Sequence, residues 1–311
     1  AEIPDGFKVI ADVGEDYADL APGWKEIIDE NEKKAISSLS ITDEEKARGY
    51  IIFSKNCLDK IYEYTVPSNG DKATKIRTFA SLGEYEPLTF CLYGLRNIKD
   101  VNVEIKTVKI KDGNGTDSIP LDHFDIRIVR MIRVAVNNSE KTYKLEPFFI
   151  EKKERFDVEQ GKAKQVWLTV KVPENTKPGD YFGKVIINTG GKETGSLHML
   201  IRVLPFKLSI PSTDFILSHS VQGDTETMLN CFIDQKEHGI SGGEMAISAE
   251  IKSRNQQLGE DDIEHFTRRS KEIMDAVKKA NFPKKSRFTG CDLGHQIVYY
   301  WDQKKGWYSF W

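Results

Sequence analysis

Residues able to do chemistry gather beside apolar runs in the last third of the chain. His219, Ser220 and Gln222 follow a run at 215–218, and Glu244 is read as following a second, placed at 240–247. Asp292, His295 and Gln296 follow a third at 287–291, and Tyr300, Trp301 and Trp307 come next. Asp, Glu, His and Gln side chains can grip vicinal hydroxyls, while a Trp or Tyr face stacks on the apolar side of a pyranose. The candidate binding set is therefore His219, Glu244, Asp292, His295 and Trp301, and the ligand class it suits is carbohydrate. A second reading makes Asp292 the cap of a following helix and the tryptophans part of an apolar core. No metal is expected at His219, Asp292 and His295, because the sequence has no helical HExxH-type pair. No cofactor is expected either.

The elements that must position these groups begin after Pro211. Asp224 or Thr225 can cap a helix whose stripe is Met228, Leu229, Phe232 and Ile233, and Gly239 can stop it. A longer helix runs from 259 toward 281, with Ile263, Phe266, Ile273 and Val277 inward, and Pro283 ends it. With the three apolar runs this gives strand, helix, strand, helix, strand, the beginning of a parallel α/β unit. The tail 297–311 holds three of the five tryptophans, Trp301, Trp307 and Trp311, and carries no assigned element.

Upstream, the period is two. Val166, Leu168, Val170 and Val172 alternate with Trp167, Thr169 and Lys171, and Leu197, Met199, Ile201 and Val203 repeat the pattern. Pro173, Pro178-Gly179 and Gly190-Gly191 supply turns, so 165–211 is expected to fold as a three-stranded meander. Pro205 and Pro211 bracket its exit as a domain boundary. Further strands are expected at 50–53, 75–81, 87–95, 101–110 and 126–134, and short strands at this spacing suggest a sandwich or jelly roll. In the third of these, Phe90, Leu92 and Gly94 share one face, and Thr89, Cys91 and Tyr93 the other. Residues 1–21 read as an extended arm and 24–39 as a helix. A short helix starts at Thr42, whose Thr-Asp-Glu-Glu run is a capping box, and ends before Tyr50. Asp29-Glu30 and Asp43-Glu44 are read as surface helix residues. The run from Asp112 to Asp117 lacks EF-hand spacing and reads as a hairpin turn, and Asn114-Gly115-Thr116 matches a short glycosylation pattern.

The chain has 311 residues, 39% hydrophobic and 30% charged, which suits folded domains and suggests two of them. A net charge of -3 argues against nucleic acid, whose binding rests on phosphate neutralisation. No apolar run is long enough to span a bilayer as a helix. Cys57, Cys91, Cys231 and Cys291 form no CxxC pair, which excludes a zinc ribbon or thioredoxin motif and leaves buried free thiols. The chain starts at Ala1, which fits either a mature form after signal cleavage or a trimmed chain.

Several stretches carry a resemblance. Gly83-Glu-Tyr-Glu-Pro87 leads into a Thr-Phe strand. To it are added the run from Val166, the stretch Lys177-Pro-Gly-Asp-Tyr-Phe-Gly183, and Val203-Leu-Pro-Phe-Lys-Leu208. Together they look like the N-terminal β-sandwich of bacterial glycoside-hydrolase-like proteins and are similar to glycoside hydrolase family 123. The similarity covers 50–211 well and continues loosely to His295. It implies that a (β/α)8 barrel follows the sandwich and that N-acetylated sugars are hydrolysed with retention. It further implies an adjacent Asp-Glu pair near the end of the fourth barrel strand. There the Glu serves as acid/base and the Asp orients the substrate's acetamido nucleophile. Neither Asp-Glu pair of this sequence matches that position, so the catalytic residues are not assigned to any residue here. Barrel active sites form at the C-terminal ends of strands, where His219, Glu244, Asp292 and His295 are expected.

The expected architecture is mainly β plus α/β. An N-terminal arm with helices (1–49) precedes an antiparallel, jelly-roll-like β-sandwich (50–210). The first strands and helices of a partial (β/α)8 barrel (211–311) follow. The expected function is that of a secreted or periplasmic glycoside-hydrolase-like protein with a carbohydrate ligand. The alternative is a non-catalytic carbohydrate-binding or assembly protein that uses its sandwich.

Overall fold

A computed structural model of the chain describes residues 25–28, 39–110, 117–137, 140–208, 216–217, 224–240, 242–246, 260–282, 287–292, 295–302 and 306–310. The chain divides into two compact units, Ala1–Leu208 and Ser209–Trp311. Alternation of apolar and polar residues builds the first. Its strands are β1 (Lys25–Glu26), β2 (Tyr50–Phe53), β3 (Lys75–Leu82), β4 (Tyr85–Gly94), β5 (Ile98–Ile110) and β6 (Phe124–Asn137). They continue with β7 (Thr142–Glu151), β8 (Phe156–Val158), β9 (Ala163–Lys171), β10 (Gly179–Thr189) and β11 (Lys192–Lys207).

These strands make a six-stranded sheet, β1-β7-β6-β9-β4-β2, and a five-stranded sheet, β3-β11-β10-β5-β8. Leu88, Phe90, Leu92, Val166, Leu168 and Val170 of the first share one buried cluster with Val185, Ile187, Leu197, Met199, Ile201 and Val203 of the second. Two sheets therefore close on a common core. On the far side of β4, Cys91 and Tyr93 join Ile51, Phe53, Ile61 and Ala163 in a second cluster, with Leu39, Ile41, Val66 and Leu95 against it. The faces expected for Phe90 and Leu92 and for Cys91 and Tyr93 are those observed.

The stretch 165–211 is not a meander. β9 pairs with β4 and β6, whereas β10 pairs with β11 and β5 in the other sheet. Period two records only that each strand has one core face; it is the same for a hairpin and for a crossing between sheets. The crossing starts at Val172, whose N–H donates to the Glu84 carbonyl at 2.9 Å, and Pro173 follows without a donor. β11 runs past Pro205 to Lys207, with an irregular register between Val203 and Lys207 that accommodates the proline.

The helix expected at 24–39 is not observed at its described start. Lys25 and Ile27 donate backbone hydrogen bonds to the Lys141 and Tyr143 carbonyls, both at 2.8 Å, so β1 is a strand on the free edge of β7. The helix expected after Thr42 is α1 (Asp43–Arg48). The Thr42 Oγ1 accepts from Glu45 N–H at 3.2 Å, and Glu45 Oε2 accepts from Thr42 N–H at 2.8 Å. Gly49 closes the helix in the left-handed region at φ 86°. Asp43 and Glu44 are exposed surface positions, as expected. Glu45 is buried and pairs with Lys72 Nζ at 2.7 Å, while Lys72 also donates to the Ser40 carbonyl. This pair ties α1 to the segment before β3.

The second unit contains β12 (Ile216–Leu217), α2 (Thr225–Glu237), β13 (Gly242–Ala246), α3 (Glu260–Ala280), β14 (Arg287–Asp292), β15 (His295–Asp302) and β16 (Gly306–Phe310). Asp224 caps α2 by accepting from Thr227 N–H at 2.8 Å. β12, β13 and β14 are parallel neighbours with one helix between each pair, and β15 and β16 add antiparallel strands. Met228 and Phe232 of α2 pack with Ile273, Ala276, Val277 and Ala280 of α3, and Leu229 and Ile233 lie against them. The parallel βαβαβ order is the expected one. The tail, which carries no element in the sequence reading, supplies β15 and β16, with β15 antiparallel to β14 from the Asp292↔His295 pair onward. Of the cysteines, Cys57, Cys91 and Cys231 are free, and of these Cys91 alone is fully buried, which drives its thiol far above the ordinary range. The run 112–117 lies mostly outside the described residues, as does Asn114. No helix among the described residues is long and apolar enough to cross a membrane.

Two outcomes follow from these contacts. A Cβ on Gly94 would sit 2.3 Å from the Glu159 carbonyl oxygen, and backbone cannot swing aside there. Gly94→Ala is expected to destabilise the protein by about 1–3 kcal/mol, read as a lower thermal midpoint. Gly70→Ala, whose nearest contact is at 3.7 Å, is the tolerated control. Burial works to raise the Glu45 carboxyl, but the Lys72 ammonium and the Thr42 cap outweigh it and hold it below the ordinary value. A lowered carboxyl stabilises above its unfolded value and loses that contribution as pH falls through the folded one. Lys72→Met should therefore cost about 1–3 kcal/mol at pH 7, with the deficit shrinking in denaturant titrations at more acidic pH.

Candidate functional site

Parallel strands put their C-terminal ends on one edge of a sheet. In the second unit that edge carries the ends of β12, β13 and β14, and Asp292 is the last residue of β14. Its register partner is His295, the first residue of β15, so the backbone sets this pair side by side. No helix follows Asp292, which removes the helix-cap reading, and the paired positions are separated only by Leu293 and Gly294. Glu244 does not follow its strand. It lies inside β13, level with Thr289, three positions short of Asp292. Gln296 is level with Cys291. Trp301 is six positions along β15 from His295, roughly 20 Å at strand rise, and pairs with Trp307 at the opposite edge. Tyr300 is level with Arg287, also away from Asp292. The structure therefore brings the Asp292 and His295 positions together, sets Glu244 midway along the sheet, three positions from the level of either Asp292 or Trp301, and separates Trp301 from the Asp292–His295 pair. His219, Ser220 and Gln222 lie outside the described residues. Among the described residues no three His, Cys, Asp or Glu side chains come close enough to hold a metal ion.

The first unit has a cleft of about 580 Å³ that the sequence did not reveal. It lies along β3, which ends the five-stranded sheet. Its lining combines Ile76–Phe79 of β3, Glu86–Thr89 of β4, the loop 54–57, and Leu200 and Arg202 of β11. Alternation sends Arg77 and Phe79 outward, and Phe79 is 65% exposed. Register sets Arg77 beside Leu200, and Phe79 beside Arg202. Arg202 donates to both carboxylate oxygens of Asp180, at 2.7 and 3.0 Å, which fixes its guanidinium plane. Lys55 faces Asp71 at 3.7 Å. Among the described residues Arg77 has no carboxylate partner. Burial, and then repulsion from Glu84, push the Glu86 carboxyl above its ordinary value, against a weak 3.5 Å contact from the Thr78 hydroxyl. The signal open to a sequence reader was the Arg77, Phe79 alternation. The residues opposite it come from β4 and β11, which only tertiary pairing brings near.

Comparison with known proteins gives the fold a context. Residues 58–189 match the model of the glycoside hydrolase 123 N-terminal domain. No curated protein matches the chain. Among solved structures the chain is similar to a family 123 glycoside hydrolase from Clostridium perfringens, studied for glycolipid glycan hydrolysis. Identity is 15% and the TM-score 0.57, over 84% of this chain and 51% of that one. The chain thus spans about half the length of that enzyme, and at this identity the likeness is one of fold. The human CEP192 PapD-like domain 7 aligns with 12% identity over 50% of this chain and all of its own length, at a TM-score of 0.25. Spo0M, a sporulation control protein from Bacillus subtilis, aligns with 18% identity over 50% of this chain and 49% of its own, at 0.20. Neither of the last two bears on what this chain does. Over residues 58–189 the chain resembles the N-terminal domain of glycoside hydrolase family 123.

Glu86 provides a check on the cleft. A carboxyl raised by the fold makes the folded state bind its proton more tightly, so stability falls as pH rises through the interval between the ordinary and the raised value. Glu86→Gln keeps the contact to Thr78 and removes the charge. It should raise the thermal midpoint at pH 7 and leave it unchanged in acid below the ordinary carboxylate range. A variant equal to the parent at pH 7 would show that Glu86 is well solvated.

Proposed function

We propose that this chain is the sheet module and the leading βα units of a glycoside hydrolase related to family 123. The substrates are extracellular or periplasmic glycans bearing N-acetylated sugars. The observation that carries this reading is the match of residues 58–189 to the family's N-terminal domain, joined to a fold likeness over 84% of the chain. The parallel β12, β13 and β14 with their two helices are then the opening of a (β/α)8 barrel. In such a barrel the C-terminal edge faces the substrate, and that is the edge of Asp292 and His295. Their role is to hold sugar hydroxyls. The acid/base Glu and the Asp that orients the acetamido group lie outside these 311 residues, since neither Asp29-Glu30 nor Asp43-Glu44 belongs to the α/β unit. Retention follows from attack by the substrate's own acetamido oxygen, with water opening the bicyclic intermediate in a second step.

The natural protein should release nitrophenolate from nitrophenyl 2-acetamido-2-deoxy-β-glycosides, with retained configuration by proton NMR. The 311-residue chain should turn none of them over. Turnover by that chain alone would place the catalytic pair within it and sink the assignment. Failure of the natural protein on every N-acetylated glycoside would remove the substrate class. In the natural protein Asp292→Ala should raise the dissociation constant for the sugar product by about tenfold, the effect of one lost polar contact. Trp301→Ala should leave it unchanged, because Trp301 stands at the other end of β15.

A further inference from the structure

The cleft along β3 has a composition that selects a ligand. Its volume of about 580 Å³ is in the range of small-molecule sites, roughly 300–1,000 Å³. One wall holds out an aromatic ring, Phe79, 65% exposed. The charged side chains of the lining are Lys55, Arg77, Arg202 and Glu86. Asp71 engages Lys55 and Asp180 engages Arg202, which leaves Arg77 as a guanidinium without a carboxylate among the described residues. A planar two-pronged donor of this kind is matched best by a carboxylate. The loop 54–57 adds a polar group to the lining. The Asn56 Oδ1 accepts from Leu58 N–H at 2.9 Å, so its amide hydrogens remain as donors. Glu86 and Thr78 touch only weakly, at 3.5 Å.

We propose that this cleft binds an acidic pyranoside, with the sugar ring on Phe79 and its carboxylate on Arg77. The Asn56 amide donates to a hydroxyl of the sugar. Arg77 and Phe79 are two positions apart on one exposed strand face, so a ring and its carboxylate can engage both from one side. The rival occupant of a sheet edge is an added peptide strand. Here the end of β3 is closed to it: Ser81 N–H donates to Glu84 Oε2 at 2.7 Å and Gly83 N–H to the Val172 carbonyl at 2.9 Å. Only Ile76–Phe79 borders the cleft, a short run for strand addition. The site is independent of the hydrolytic reading, because its residues all belong to the first unit.

The test is calorimetric titration of the chain with a disaccharide of glucuronic acid and N-acetylglucosamine. The neutral disaccharide with glucose in place of the glucuronate, sodium sulfate, and an acidic hexapeptide are the comparisons. The acidic sugar should bind about tenfold or more tightly than the neutral one, and weaken as salt is raised. Arg77→Gln and Phe79→Ala should each reduce its affinity about tenfold without moving the thermal midpoint, since both side chains are exposed. No binding of the acidic sugar, equal binding of the neutral one, or indifference to both substitutions would overturn the proposal. Sulfate binding as tight as the sugar's and independent of Phe79 would reduce the cleft to a simple anion site. Tighter binding of the hexapeptide would make it a peptide edge.

Discussion

β4 is buried on both faces, and the first unit is arranged to meet that demand. Residues Leu88 to Gly94 are all inaccessible, with Leu88, Phe90 and Leu92 in the core between the sheets and Cys91 and Tyr93 behind them. A strand apolar on one side can leave the other wet; this one cannot. Each large side chain so buried contributes about 1.5–3 kcal/mol relative to exposure. The sheet behind β4 must therefore be covered by something other than the second sheet. Leu39, Ile41, Ile61 and Val66 supply that cover, and they come from irregular chain before β2 and between β2 and β3. The Glu45–Lys72 pair and the Thr42 cap hold this chain down.

The same demand explains the tight crossing at Gly94. The last position of β4 approaches the Glu159 carbonyl, and the Gly94 N–H and carbonyl bond Lys162 and Gly161. The chain leading into β9 is thereby fixed beside β4, which sets the nine-residue register from Tyr85↔Lys171 to Tyr93↔Ala163. With β9 committed to this sheet, β10 has its pairing edge in the other. The two-sheet arrangement thus follows from where β9 is held, and not from the turn that follows it.

Local pattern was enough for the elements whose cause is local. The Thr42 capping box gave α1, the Asp224 cap gave α2, and strand signals gave β2 and β3 nearly to the residue, while β5 begins at Ile98, ahead of the expected 101. It failed where the cause is remote. Residues Lys25 and Glu26 became a strand because β7 offered an open edge, overriding the helical spacing of Ile27 and Ile28. β7 itself was hidden by Pro147, which sits at a register shift opposite Met131 and breaks the alternation. Among the candidate site residues, Asp292 and His295 are close in sequence, but the pairing of their positions was not legible, because it needs the tail to return as a strand beside β14. Nor was the distance of Trp301, since it depends on β15 continuing straight for six residues beyond His295. The β3 cleft was invisible for a similar reason: its walls lie on strands up to 125 positions apart, from Arg77 to Arg202, joined only by β3 pairing with β11.

An exposed cation at a sheet edge has an ordinary explanation, and it bears on how the cleft is read. Charged residues on edge strands keep sheets from adding to one another, and Lys75 and Arg77 of β3 are placed for that role. Were Arg77 alone, edge protection would account for it. Phe79 is the residue that this explanation cannot hold. A large aromatic side chain on the outward face of the same edge strand invites the association that its charged neighbour opposes. Its cross-strand partner is Arg202, whose guanidinium makes a two-pronged pair with Asp180. Among the described residues Phe79 stays largely exposed, and a Thr, Lys or Glu there would fit the strand and protect the edge better. An apolar ring beside an uncompensated fork, over a cleft with hydroxyl-sized polar groups, is the pattern of a surface kept for a ligand that is apolar on one side and anionic at one end.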